Sequence, residues 1–213
     1  MRKAALKTLG AAALLGLFTA SCSTVRPLDT AKRELATAAE CCASYAQFNF
    51  EPLNFGETEN ITIDRESPAF QFDTGKSYFK AFRLPVTAKP YSIIVQSYFI
   101  ESTTRSASSF VFSPAVMFLD AGYGVTRRLD KGFYAAVDTG NSLSKARLEA
   151  EIPVNPRSAA EKFVVIYTTA ALMEKATILK VYKYARYGTI VDDYPLPNAP
   201  VGELKVSLIP GRY

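Results

Sequence analysis

Residues 67–85 read SPAFQFDTGKSYFKAFRLP. The stretch holds two aromatic-rich runs, AFQF and SYFKAFRL, joined by Asp73-Thr74-Gly75. Aromatic and β-branched runs bounded by Pro and Gly read as strands with a tight connection. The same grammar continues outward. Candidate strands are Ile61–Asp64, Ala69–Phe72, Ser77–Leu84, Ser92–Ile100, Ala115–Asp120 and Gly124–Leu129, then Phe133–Val137, Ala146–Ile152, Lys162–Thr168, Thr177–Tyr184 and Glu203–Leu208. Turn signals separate them at Lys89-Pro90, Asp130-Lys131-Gly132 and Asp138-Thr139-Gly140-Asn141. Many short strands at this spacing predict a mainly β fold. The expected architecture is an antiparallel β-sandwich, jelly-roll-like, with a short N-terminal helix or stalk.

Individual strands say more. In RLEAEIP, Leu148, Ala150 and Ile152 face one way and Arg147, Glu149 and Glu151 the other, as in a half-buried strand. FVVIY at 163–167 and VMFL at 116–119 are apolar on both faces. They read as central strands covered on both sides, or as strands whose outer face meets a loop or partner. AALMEK at 170–175 and PRSAAEK at 156–162 are candidate helical turns. The end of the chain has four prolines between residues 195 and 210 and is expected to run along the surface before a last strand.

The N-terminus, MRKAALKTLGAAALLGLFTASC, has a basic end, a short apolar run from Leu9 to Phe18, and small residues before Cys22. That is the order of a secretory signal over residues 1–21. The apolar run is too short for a stable span of about 20 residues. Small residues before a cysteine resemble the bacterial lipobox, although Thr19 stands where Leu is usual. Lipidation of Cys22 is the reading adopted, against ordinary cleavage near Ala20 or Ser21. Ser23, in place of the Asp that signals inner-membrane retention, points to the inner leaflet of the outer membrane. Residues 22–45 then form a tether with a short helix around Asp29 to Cys42, and 46–213 the β-sandwich. The helix has a weak apolar face, so the core is expected to survive its removal.

The chain carries 25 basic and 20 acidic residues, or 22 against 20 once Arg2, Lys3 and Lys7 leave with the signal. No basic run of nucleic-acid type occurs, so that partner is discounted. Cys41 and Cys42 remain as adjacent thiols in a compartment that favours disulfides. A bond between the two, two buried thiols, and pairing with another chain are all open. The chain has no histidine, which excludes Ser-His-Asp and Cys-His catalysis and histidine-ligated metals. No phosphate loop, dinucleotide fingerprint or nucleophile elbow is present. No cofactor or metal is expected, and Asp192-Asp193 reads as a solvated loop. Exposed tyrosines can stack on sugar rings through an apolar face and a polar tip. Tyr123, Tyr187 and Tyr194 are the candidates.

Cys41-Cys42, FNFEPL at 48–53, SPAFQFDTGKSYFKAFRLP at 67–85, FSPAVMFLD at 112–120, KFVVIYTT at 162–169 and YGTI at 187–190 stand in order along the chain. Together these strings resemble the maltose operon periplasmic protein (MalM) family. The resemblance implies a secreted protein associated with maltose or maltodextrin uptake, and carries over no catalytic residue. The expected function is a non-enzymatic accessory of carbohydrate transport, held at the membrane by its lipid, with maltodextrin or maltose-uptake proteins as partners. The alternatives are a carbohydrate-binding β-sandwich module and a structural envelope lipoprotein without a sugar ligand.

Overall fold

The computed structural model describes residues 28–100, 109–136, 146–157, 160–185 and 188–211. The chain opens with helix α1 (Leu28–Thr37) and a 3-10 turn at Tyr45–Gln47. Strands β1 (Phe50–Pro52), β2 (Thr58–Ile63), β3 (Ala69–Phe72), β4 (Gly75–Tyr78) and β5 (Lys80–Arg83) follow. Next come β6 (Tyr91–Ile100), β7 (Phe110–Phe112), β8 (Ala115–Leu119), β9 (Val125–Leu129) and β10 (Tyr134–Ala136). Then β11 (Arg147–Val154), β12 (Phe163–Tyr167), α2 (Ala170–Met173), β13 (Ala176–Ala185), β14 (Gly188–Ala199) and β15 (Gly202–Pro210) complete it.

Two sheets form the expected sandwich. The smaller has the order β1-β5-β12-β8-β9. In the larger, β6 is the hub. One edge of β6 pairs with β11, which carries β10. Its other edge pairs first with β15, which carries β2, and then at Phe99 and Ile100 with β7, which leads to β14 and β13. The ladders are mixed rather than purely antiparallel, because β1–β5 and β7–β14 run parallel. The sheets close on a core in which Phe82, Val116, Phe118, Val164 and Ile166 of the smaller meet Ile93, Val95, Ile152, Leu204 and Val206 of the larger.

The strands apolar on both faces now have their reason. Met117, Leu119, Val165 and Tyr167 point away from the sandwich and are buried under a second layer, which includes Phe48, Phe72 and Phe79. Phe72 stacks on Tyr167 at 4.3 Å between ring centroids, and Phe48 on Phe79 at 4.1 Å. Each fully buried aromatic removes 150–250 Å² from water. The opening hairpin, β3–β4, therefore serves as a lid on the smaller sheet.

The strand expected over Ser77–Leu84 is split at Phe79. The Phe79 N–H donates to the Pro68 carbonyl at 3.0 Å, and its ring enters the outer aromatic layer. The turn before it needs Gly75, which sits at φ +112 with the place of a Cβ only 2.8 Å from the Ala170 Cβ. Sequence patterning misses β1, β7 and β14. The stretch around Asp192-Asp193, read as a solvated loop, is part of β14, with Asp193 opposite Lys180. Prolines hide this strand. The Asn198 N–H points to the β13 side, donating to the Lys175 carbonyl at 3.2 Å. Alternation then turns the backbone nitrogens of Pro195 and Pro197 to the opposite edge, where β7 pairs only from Asn198.

Helix α1 is more firmly held than its composition suggests. Ala31 and Leu35 are buried, Leu35 in the inter-sheet core. The Lys76 ammonium donates to the Ala36 and Ala38 carbonyls at the helix end, where carbonyls lack intrahelical partners. Lys32 donates to the Met173 carbonyl of α2 at 3.0 Å. The expectation that the core is indifferent to this helix is thus corrected. A cleft of about 430 Å³ remains between α1, β4 and α2, floored by Leu35, Ala170 and Met173.

Candidate functional site

The period-two pattern of β11 sends Arg147 and Glu149 to the outer face of the larger sheet, and the structure joins them there to two neighbouring strands. Register sets Glu149 opposite Gln96 of β6 and Tyr134 of β10, while Tyr98 lies opposite both Arg147 and Glu203. The Gln96 amide donates to Glu149 Oε2 at 2.7 Å, and Arg147 Nε donates to the same oxygen at 2.8 Å. The Tyr134 hydroxyl donates to Glu149 Oε1 at 3.2 Å, and the Tyr98 hydroxyl to Gln96 Oε1 at 3.1 Å. On the far side the Lys205 ammonium of β15 lies 5.3 Å from the centre of the Tyr98 ring. Six side chains on four strands thus hold one another across an outward face.

Burial by itself would raise the Glu149 carboxyl. The Arg147 and Gln96 hydrogen bonds, the Arg147 charge and the Tyr134 hydroxyl outweigh it, and hold the group below its ordinary value. Glu149 is therefore an ionised acceptor at neutral pH and a poor general acid. The nearby negative charge of Glu149 pushes the Tyr134 phenol up, so that it stays a donor.

Of the tyrosines singled out in the sequence, Tyr123 and Tyr194 lie away from this network and are on different sheets. Tyr123 sits in the β8–β9 turn of the smaller sheet with φ +64. Its ring stacks on Phe163 at 5.2 Å and lies 5.9 Å from Phe50. Asp120 holds that turn by accepting from the Gly122 and Gly124 N–H groups, both at 2.8 Å, in the role common to Asp at strand ends. Tyr194 is on β14 and 44% exposed. Tyr187 and Cys22 lie outside the described residues. Among the described residues no group of three or more acidic or cysteine side chains is placed to hold a metal. Sequence reasoning passed over Gln96, Tyr98, Tyr134 and Lys205. Alternation in YSIIVQSYFI and GELKVSLIP marks three of them as outward-facing, but only cross-strand register shows that they meet.

Cys41 and Cys42 are joined by a disulfide in the structure, at the entry to the outer aromatic layer. The Cys41 N–H donates to the Ala69 carbonyl at 2.9 Å, tying the pair to β3. A ring between neighbours removes little entropy from the unfolded chain. Replacing both by serine should cost only on the order of 1 kcal/mol. Chemical unfolding reads that cost. Mass spectrometry of the non-reduced, denatured protein reads the bond, and alkylation of both sulfurs would show that none exists.

Comparison with family models places the chain. The model described as "Maltose operon periplasmic protein precursor (MalM)" matches residues 74–207, more than half of the sequence. The chain belongs to the MalM family. The match spans β4 to β14 whole, while Cys41-Cys42 and FNFEPL precede it. The family's name makes its members periplasmic proteins of a maltose operon. Comparison with curated proteins and with solved structures found no match.

Proposed function

We propose that this protein is a non-enzymatic accessory of maltodextrin uptake, anchored through lipidated Cys22 to the inner leaflet of the outer membrane. Family membership is the observation that carries this reading. The chemistry of the domain is consistent with it. The chain lacks histidine. The two carboxylates with shifted pKa among the described residues, Glu149 and Glu161, are each tied to an arginine. Neither is placed as a poised acid–base group. A cell lacking the protein should take up labelled maltodextrin more slowly, with recovery when the gene is restored. Unchanged uptake would remove the accessory role.

The anchor has its own expected result. Even two acyl chains give stable membrane attachment, so a multiply acylated Cys22 would hold the protein firmly. Cys22→Ser should shift the protein from the membrane fraction to the soluble periplasmic fraction. A wild-type protein already soluble after fractionation would rule the anchor out.

A second reading, direct binding of the sugar, is favoured by the tyrosine-flanked polar network on the larger sheet.

A further inference from the structure

We infer that the outer face of the larger sheet, centred on Glu149, is a binding platform for a neutral, α-linked glucose oligomer. The inference rests on the direct-binding reading above and gives it a site.

The argument begins with what a neutral polyol needs. Its hydroxyls call for fixed acceptors and donors, and its ring faces for flat apolar surfaces with polar edges. Glu149 supplies an acceptor, Arg147 and Lys205 supply donors, and Gln96 supplies both. Arg147 and Glu149 retain only 14% and 19% of their side-chain exposure, so their rotamers are held before any ligand arrives. Preorganisation of this kind lowers the ordering cost of binding. Tyr134 is 55% exposed, and its hydroxyl bond to Glu149 orients the ring. Tyr98, bonded to Gln96 and with the Lys205 ammonium over one face of its ring, offers its other face as a second platform.

Spacing and charge narrow the ligand. Tyr134 and Tyr98 are separated by β11 and are two residues out of register through Glu149 and Arg147. Their Cα atoms are therefore about 12 Å apart, from strand spacing and rise. Two platforms at that distance suit a chain of several sugar rings better than a single one. Arg147 and Lys205 stand against Glu149, Glu151 and the neighbouring Glu203, a net of one negative charge, too little to select a polyanion or a polycation. The face also differs from the core of a protein interface, which is depleted in charged residues. The family's maltose operon supplies the linkage type.

The test is calorimetric titration of the full mature protein with maltoheptaose. Wild type should bind, and Tyr134→Ala should weaken binding by about tenfold or more. Glu149→Gln keeps the shape and removes the charge, and should weaken binding comparably. Both variants should unfold cooperatively with a Tm close to wild type, since Tyr134 is outside the core and the second change is isosteric. Tyr194→Ala should bind as wild type does. Absence of binding by wild type overturns the inference, and the uptake measurement still decides the accessory role separately. Binding that survives Tyr134→Ala and Glu149→Gln, or that is lost in Tyr194→Ala, places the sugar elsewhere and overturns it too.

Discussion

Replacing Arg127 with alanine should lower the stability of the domain by about 3 kcal/mol, the low end for breaking a buried ion pair. For a domain of this size that is a fall in Tm of about 6–12 °C. Arg127 lies on β9, the edge of the smaller sheet, and joins it to the larger sheet. Its guanidinium donates to the Pro153 carbonyl of β11 at 3.2 Å, and meets the Glu161 carboxylate at 2.8 and 3.1 Å. It also covers the Phe118 ring, with its central carbon 4.2 Å from the ring centre. Glu161 keeps only 5% of its side-chain exposure. Truncating the arginine would leave that carboxylate unpaired in the protein, which is the expensive part of the change. A Tm within about 2 °C of wild type would show that the pair does not hold the sheets together.

The same pair gives the effect a pH signature. Burial pushes the Glu161 carboxyl above its ordinary value, although the charge and hydrogen bonds of Arg127 pull it down. The native state thus holds the Glu161 proton more tightly than the unfolded chain does. That contribution to stability is fully present below the unfolded pKa and is lost as pH rises through the higher folded pKa. Without Arg127 the carboxyl rises further, and in acid it carries no charge that needs a partner. The deficit of Arg127→Ala should therefore shrink between neutral pH and about pH 4. A deficit that grows on acidification would mean that the fold lowers this carboxyl instead of raising it. Glu161's negative charge is also felt at Tyr91, whose phenol burial first, and then that charge, push up to about 12.

Where a residue pattern has its cause within one strand, the sequence was sufficient. RLEAEIP alternates because one face meets the core, and the structure buries Leu148, Ala150 and Ile152 as that pattern requires. FVVIY and VMFL announced coverage on both faces, but not what covers them, because Phe48 and Phe72 reach them from far along the chain. The helix misled for a similar reason. Leu35 is one buried leucine in a short polar segment, and its weight comes from the core it enters and from Lys76, 41 residues later. β14 was hidden by prolines whose cost depends on which edge of the strand is paired, a tertiary fact. The outer-face network was half legible. Outward positions follow from period two, whereas the meeting of Tyr134, Glu149, Gln96 and Tyr98 depends on register, which the pattern of any one strand leaves open.

A chain cut to begin at Thr74, where the family match starts, should fail to fold cooperatively. The cut removes β2, which pairs with β15 from Gly202 to Ser207 and buries Ile61 and Ile63 in the inter-sheet core. It also removes Phe48 and Phe72, and so exposes Met117, Val165 and Tyr167 on the outside of the smaller sheet. Losing one buried Phe side chain costs about 3–5 kcal/mol, and a whole domain is stable by only about 5–15. Two such rings, with Ile61, Ile63, Leu35 and Leu53, exceed that margin. Phe72→Ala in the full chain isolates one part of the loss. Phe72 is 1% exposed and its ring contacts Tyr167, Phe79, Phe70 and Phe48. The substitution should cost about 4 kcal/mol. Urea unfolding should show the midpoint falling while the slope stays unchanged, since the surface exposed on unfolding is nearly the same. A sharp, cooperative transition in the truncated chain would overturn this account, and would make the aromatic layer an addition to a sandwich that stands without it.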